Sequence, residues 1–172
     1  MAEAIRTALA ELGIDSKIKW PNDVLVQGKK ISGVLAEANS DLSAVVVGFG
    51  INVNQSAKDL PTGSATSLLL AGATSLDRDE LLAKTLRSFI ALYLELVDAG
   101  GDAVASGLRE KIIGSSSTIG ELVEVSFPDQ RSAVGKAIDI DEGGRLKVVT
   151  SDKTLTVSAG DVLHLRTAKL ED

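Results

Sequence analysis

Two blocks of short β-prone runs, residues 16–53 and 123–165, stand on either side of a stretch whose apolar residues recur with a helical period. This arrangement constrains the fold more than any other feature, because strands grouped with strands and helices kept apart is the α+β pattern and not the alternation that builds a parallel sheet. In the first block the runs are 17–20, 24–26, 31–38 and 44–48, with turns supplied by Pro21-Asn22-Asp23, Gly28 and Asn39-Ser40-Asp41. Tight connections of this kind predict an antiparallel or mixed sheet. The run Ala44-Val45-Val46-Val47 is apolar at every position, which predicts a central strand covered on both faces.

The helical signals flank this block. Residues 2–12 place Ile5, Ala8, Leu9 and Leu12 on one face, and Gly13 follows as a stop. A chain that opens on a core-facing helix must bury it against something later in sequence, and further chain upstream is expected. Residues 54–76 read as a loop with one helical turn near 65–70. Asp77 and Glu80 then form a capping-box-like pair, after which Leu82, Leu86, Phe89, Tyr93 and Leu96 recur until Gly100-Gly101. The spacing predicts a long helix with this stripe in the core. A second helix is expected over 102–112, with Val104, Leu108 and Ile112 on one face.

After Gly114-Ser115-Ser116-Ser117 the period shortens to two. Val123, Val125 and Phe127 share one strand face, and the runs 133–140, 146–149, 155–157 and 162–165 follow at the even spacing of a small barrel. Two domains are expected, 1–113 and 114–172. His164, the one histidine, falls in the barrel and reads as structural, since a catalytic base needs partners that the sequence around it does not supply.

Composition excludes several function classes. The 172 residues carry 18 Lys plus Arg against 24 Asp plus Glu, a net charge of −6, which argues against a general nucleic-acid binder. With no cysteine there are no disulfides, zinc–thiolate sites or thiol nucleophiles, which fits a reducing compartment, and no metal-ligand spacing is present. No apolar run approaches the ~18 residues of a membrane span and no secretory leader is visible. A cytoplasmic protein without membrane contact is expected.

Two segments could carry chemistry. Residues 17–30 hold Lys17, Lys19, Lys29 and Lys30 with the single acid Asp23. Lysines on adjacent strands can meet an anion, or they can simply solvate a hairpin edge. The segment Gly48-Phe49-Gly50-Ile51-Asn52 follows the apolar run; its two glycines permit a ligand to lie against the backbone, and Asn52 can donate and accept at once. Such a pair of glycines is equally a bulge or a turn.

Taken together, Lys19-Trp20-Pro21-Asn22-Asp23-Val24, Lys30-Ile31-Ser32-Gly33-Val34-Leu35-Ala36-Glu37 and Val47-Gly48-Phe49-Gly50-Ile51-Asn52-Val53-Asn54 resemble, in order and spacing, the central signature of biotin–protein ligases. Ala65-Thr66-Ser67-Leu68 resembles a further family feature, and the final segment, with Ser158-Ala159-Gly160-Asp161-Val162, is similar to the family's small Src-homology-type β-barrel domain. The resemblance implies an incomplete class II synthetase-like sheet with flanking helices, followed by that barrel. It implies ATP-dependent activation of biotin to biotinyl-5′-adenylate, with Mg2+, and transfer to a lysine of a biotin carboxyl carrier domain, as in acetyl-CoA carboxylase.

By the same resemblance Lys30 offsets charge on the α-phosphoryl oxygens and Asp23 orients the incoming carrier lysine. Lys19, Trp20, Asn22, Gly33, Gly48, Gly50 and Asn52 border the biotin and adenylate, although a lone indole such as Trp20 is as readily a packing anchor. Family members also carry, upstream, a Ser-Thr pair and a glycine/arginine-rich loop that clamp biotin and phosphate. Neither occurs here, so the N-terminal biotin-clamping half is expected to lie outside this chain. A non-catalytic remnant, or a split-ligase half completed by another chain, is the other reading, and pairing into a homodimer is a further expectation. The Lys-Trp-Pro-Asn-Asp turn and the barrel favour the biotin branch over lipoate ligases.

Overall fold

The computed structural model describes residues 1–61, 63–159 and 164–167. It divides into two compact units, 1–95 and 96–172. The first unit opens with helix α1 (Ala2–Glu11), continues through β1 (Lys17–Lys19), β2 (Asp23–Val26), β3 (Lys29–Ala38) and β4 (Val45–Ile51), and then carries the short α2 (Leu68–Ala71) and the long α3 (Arg78–Asp98), whose last turn runs into the second unit. The four strands form one antiparallel sheet in the order β1-β2-β3-β4.

The core of this unit gathers Ile5, Leu9 and Leu12 of α1, Val24 and Val26 of β2, and Ile31 of β3. Each large aliphatic side chain withdrawn from water there contributes about 1.5–3 kcal/mol before chain entropy is set against it. Leu68 and Leu81 close the cluster from α2 and α3. Ser67 caps α2, its Oγ accepting from Leu70 N at 3.2 Å while it donates to the Gln55 carbonyl at 2.7 Å.

The β2–β3 connection is a two-residue turn, Gln27-Gly28, with φ of 50° and 76°. Both values match the turn type whose twist suits a hairpin, and glycine takes the second at no steric cost. One residue later the register shifts. Val24 pairs with Ser32 but Leu25 with Lys30, so Ile31 is an extra residue on β3, a β-bulge. The bulge lets Ile31 and Ser32 both turn inward, at 0% and 2% exposure, and puts Lys30 on the outer face with Asp23 and Leu25.

Two expectations fail here. The apolar run at 44–47 is not a central, doubly covered strand: β4 is last in the sheet order, and Val45 and Val46 are 59% and 75% exposed. An apolar pattern reports what a strand suits and leaves its place in the order to the pairings, and among the described residues β4 pairs only with β3. Nor is the α3 stripe core. Leu81 and Thr85 are the buried residues of that helix, while Leu82, Leu86 and Tyr93 are exposed and Phe89 is half-buried, stacked on Tyr93 at 6.1 Å. The inward face is offset by one residue from the most regular apolar spacing. Asp77 does begin the helix, its Oδ1 accepting from Asp79 N and Glu80 N.

In the second unit the expected helix over 102–112 is shorter. Asp102 caps a turn, Gly107 takes φ 70°, and α4 runs only Leu108–Gly114. Then come β5 (Leu122–Ser126), β6 (Ser132–Ile140), β7 (Leu146–Val149), β8 (Thr154–Val157) and β9 (His164–Thr167), antiparallel in the order β8-β7-β6-β5-β9, short strands in the segment where the alternation predicts a small barrel. Val123, Val125, Leu146, Val148 and Val157 fill its interior. Arg109 ties α4 to β6, donating to the Ile140 carbonyl at 2.7 Å and to Asp139 Oδ1 at 2.5 Å. Residues 160–162, and the side chain of His164, lie outside the described residues.

Candidate functional site

The sheet register lines up one row across all four strands. Lys19 of β1 stands opposite Asp23 of β2, Asp23 opposite Gly33 of β3, and Gly33 opposite Gly50 of β4. Side chains directly paired across antiparallel strands share a face. The bulge adds Lys30 to that face, and the Leu35–Gly48 pair, two residues further along, adds Gly48. Residues separated by up to 31 positions thus meet on one surface, away from the core.

Lys30 is the fixed cation of this face. Its backbone is held on both sides, by β2 and by the loop segment 64–66: Lys30 N donates to the Ser64 carbonyl at 2.9 Å, and Thr66 N donates to the Lys30 carbonyl at 2.9 Å. Its ammonium donates to Asp23 Oδ1 at 2.5 Å. Lys30 is half exposed and Asp23 about one-fifth exposed, and a pair so open to water contributes about 0–1 kcal/mol to stability. Its significance is placement.

Beside this pair the sheet is bare. A Cβ built on Gly48 or Gly50 meets nothing within 4 Å, whereas one on Gly33 comes within 3.1 Å of Lys30 Nζ. An anion held by Lys30 could lie against backbone here without displacing side chains. Lys19, half-buried, has no carboxylate within ion-pair distance among the described residues and adds a second positive charge.

The remaining predicted residues frame the face. Trp20 is buried at 5% exposure and its peptide bond to Pro21 is cis; it takes the packing role left open for a lone indole. Asn22 brackets Val34, its Nδ2 donating to the Val34 carbonyl at 2.6 Å while its own carbonyl accepts from Val34 N at 3.0 Å. Asn52 follows β4, accepts through its backbone from Leu68 N, and donates its Nδ2 to the Thr66 carbonyl at 2.9 Å. Each asparagine uses one amide N–H within the protein, and its second N–H and side-chain oxygen remain.

The contribution of segment 64–66 was not legible from sequence as support for Lys30. Its signals are the family-like run Ala65-Thr66-Ser67-Leu68 and, within it, Ser67 as a cap residue ahead of three leucines, which marks where the loop must end. A separate open cavity of about 560 Å³ lies at the β2–β3 hairpin, lined by Val26, Gln27, Lys29, Ala57, Leu60 and Thr66 among others, and includes none of the face residues. Among the described residues no group of three His, Cys, Asp or Glu could hold a metal ion, and no helix is long and apolar enough to cross a membrane.

Comparison with known proteins places these features. Residues 1–53 match the biotin/lipoate A/B protein ligase family, and residues 118–165 match the biotin protein ligase C terminal domain. A biotin--[acetyl-CoA-carboxylase] ligase of Mycobacterium tuberculosis is 37% identical over 95% of this chain, which covers 59% of that protein. The apo structure of the biotin protein ligase from Aquifex aeolicus superposes with a TM-score of 0.78 at 30% identity, over 97% of this chain and 72% of that one. The same enzyme in complex with biotin and ATP superposes at 0.79 with 29% identity, over 96% and 68%. The chain spans between 46% and 59% of the length of the first curated relatives it matches.

Proposed function

The chain belongs to the biotin protein ligase family, and from that premise we propose that it serves ATP-dependent biotin activation and transfer to a lysine of a carboxyl carrier domain. The observation that supports this reading is the row Lys19–Asp23–Gly33–Gly50 with Lys30 beside it: a fixed cation over exposed backbone.

In the first step an oxygen of the biotin carboxylate bonds to the α-phosphorus of ATP. The bond to the bridging oxygen breaks, and pyrophosphate leaves with the electron pair. Negative charge gathers on the α-phosphoryl oxygens, and the Lys30 ammonium offsets it. In the second step the neutral amine of the carrier lysine attacks the acyl carbon and AMP departs. Asp23 stands within reach of Lys30 and of the same surface, where its carboxylate orients that amine and takes up the proton it sheds. Lys19 adds positive charge, Gly33 leaves room for the Lys30 side chain, Gly48 and Gly50 let the adenylate approach, Asn22 and Asn52 offer side-chain oxygens to it, and Trp20 holds the turn beneath.

Mg2+ does not find a protein-built site in this donor set: Asp23, the carboxylate at the face, is already paired with Lys30, and no carboxylate cluster stands near it among the described residues. In this reading the ion arrives with the nucleotide as part of the substrate, and no step is assigned to it. The partner is the carrier domain, and the setting is the cytoplasm.

A second reading rests on the exposed apolar residues of β3 and β4, Leu35, Val45 and Val46. Such a surface suits a split-ligase half completed by another chain, or a remnant that binds without turnover, and equally a homodimer. Calorimetric titration with biotinyl-5′-adenylate separates these. Binding that Lys30→Ala weakens by about an order of magnitude, about 1.4 kcal/mol, supports a working adenylate face. A folded chain that binds no adenylate overturns the ligase reading and leaves a remnant that has lost the adenylate site.

A further inference from the structure

Glycine is poorly suited to the middle of a strand, where it loses chain entropy and packs nothing, so a strand glycine calls for a physical reason. Gly33 lies within β3 and does not occupy the left-handed region, so its backbone would accept any L-residue. What distinguishes it is the space above it. A Cβ there would stand 3.1 Å from both Cε and Nζ of Lys30 and 3.4 Å from Asp23 Oδ1, while the other two glycines of the face have nothing within 4 Å.

We propose that Gly33 is a positioning residue for Lys30, working together with the bulge at Ile31. The bulge sets Lys30 on the Asp23 face although it is three residues from Gly33, a spacing that would put it on the opposite face of a regular strand. The missing Cβ at Gly33 then leaves the channel through which the lysine side chain runs flat along the sheet to meet Asp23 at 2.5 Å. A single Cβ at position 33 makes the lysine tip give by a few tenths of an ångström, and a larger side chain displaces the ammonium from Asp23 and from where the bare backbone admits a ligand. The consequence for catalysis rests on the ligase reading above; the geometric statement does not.

A structural glycine and a positioning glycine respond oppositely to substitution. Gly33→Ala and Gly33→Val add a residue of better strand propensity, so the urea midpoint of the 172-residue chain is expected to hold or rise. Crystal structures of the variants should show the Lys30–Asp23 contact lengthened in the alanine variant and broken in the valine variant. Titration with biotinyl-5′-adenylate should weaken about threefold in Gly33→Ala and about tenfold in Gly33→Val, and in a Lys30→Ala background the valine substitution should add less than about twofold, because both act through one group.

A valine variant that keeps the ammonium within hydrogen-bond range of Asp23 overturns the proposal, as does an equal loss of binding with and without Lys30. If Gly33→Val does not fold, an unchanged contact in Gly33→Ala overturns it in its place. Should the unaltered chain bind no adenylate, the ligase reading falls, and the crystallographic distances alone decide the role of Gly33.

Discussion

Asn52 and Thr66 are joined by a 2.9 Å hydrogen bond from the asparagine Nδ2 to the threonine carbonyl, and this bond ties the end of β4 to the loop that grips Lys30. Thr66 N donates to the Lys30 carbonyl, so Asn52 supports the cation of the face at second hand. Asn52→Ala leaves a part-buried carbonyl without its partner, at a cost of about 1–3 kcal/mol. Urea denaturation should show that loss, and hydrogen exchange of the Lys30 and Thr66 amides should quicken by more than that of β1. Equal acceleration throughout the first unit would count against a local tie.

Gly135 of β6 presents the opposite case to Gly33. A Cβ there would overlap the Val149 carbonyl oxygen and stand 2.8 Å from Val148 Cγ1. Backbone cannot yield as a lysine tip can. Gly135→Ala should destabilise the second unit by about 1–3 kcal/mol through overpacking, with the loss read from thermal unfolding monitored at β5–β7 amides. An unchanged melting curve would mean that β7 gives way more readily than its pairing suggests.

Val46 is 75% exposed on a strand that pairs on one edge only among the described residues. Apolar edge strands template association with other chains. Val46→Lys should therefore reduce concentration-dependent self-association in sedimentation while changing stability by no more than about 0.5 kcal/mol. If association persists undiminished, it proceeds through another surface.

Glu11 of α1 and Lys84 of α3 meet at 2.7 Å. The hydrogen bond from Lys84 holds the Glu11 carboxyl below its usual range, and the same bond raises the Lys84 ammonium above its own. The depressed carboxyl contributes stability that is complete above its unfolded value and lost as pH falls through its folded value; the raised ammonium contributes below its unfolded value and loses it as pH rises through its folded one. The pair therefore supports the fold across the neutral range and at neither extreme. Lys84→Met should lower the urea midpoint at pH 7 and leave it nearly unchanged at about pH 2, where Glu11 is protonated. An equal drop at both would assign the effect to packing of the lysine stem.

Residue types and their local spacing set the vocabulary of this fold. The turn at Gln27-Gly28, the cap at Ser67, the start of α3 at Asp77 and the alternating strands of the second unit follow from residue types and their spacing, since each depends on neighbours a few positions away. Lys19, Asp23, Lys30, Gly48, Gly50 and Asn52 were also readable as candidates from residue type and position, and Trp20, Asn22 and Gly33 joined them through the resemblance to biotin–protein ligases. Which of them face one another is not local and came from long-range pairing. The extra residue at Ile31, the placement of β4 at the end of the sheet order, and the turning of Leu81 and Thr85 inward in place of the Leu82 stripe all arise from pairing between segments distant in sequence. A periodic pattern reports that a segment has a face to bury; it does not carry the register or the partner, and those are what bring Lys30 over Gly33 to Asp23.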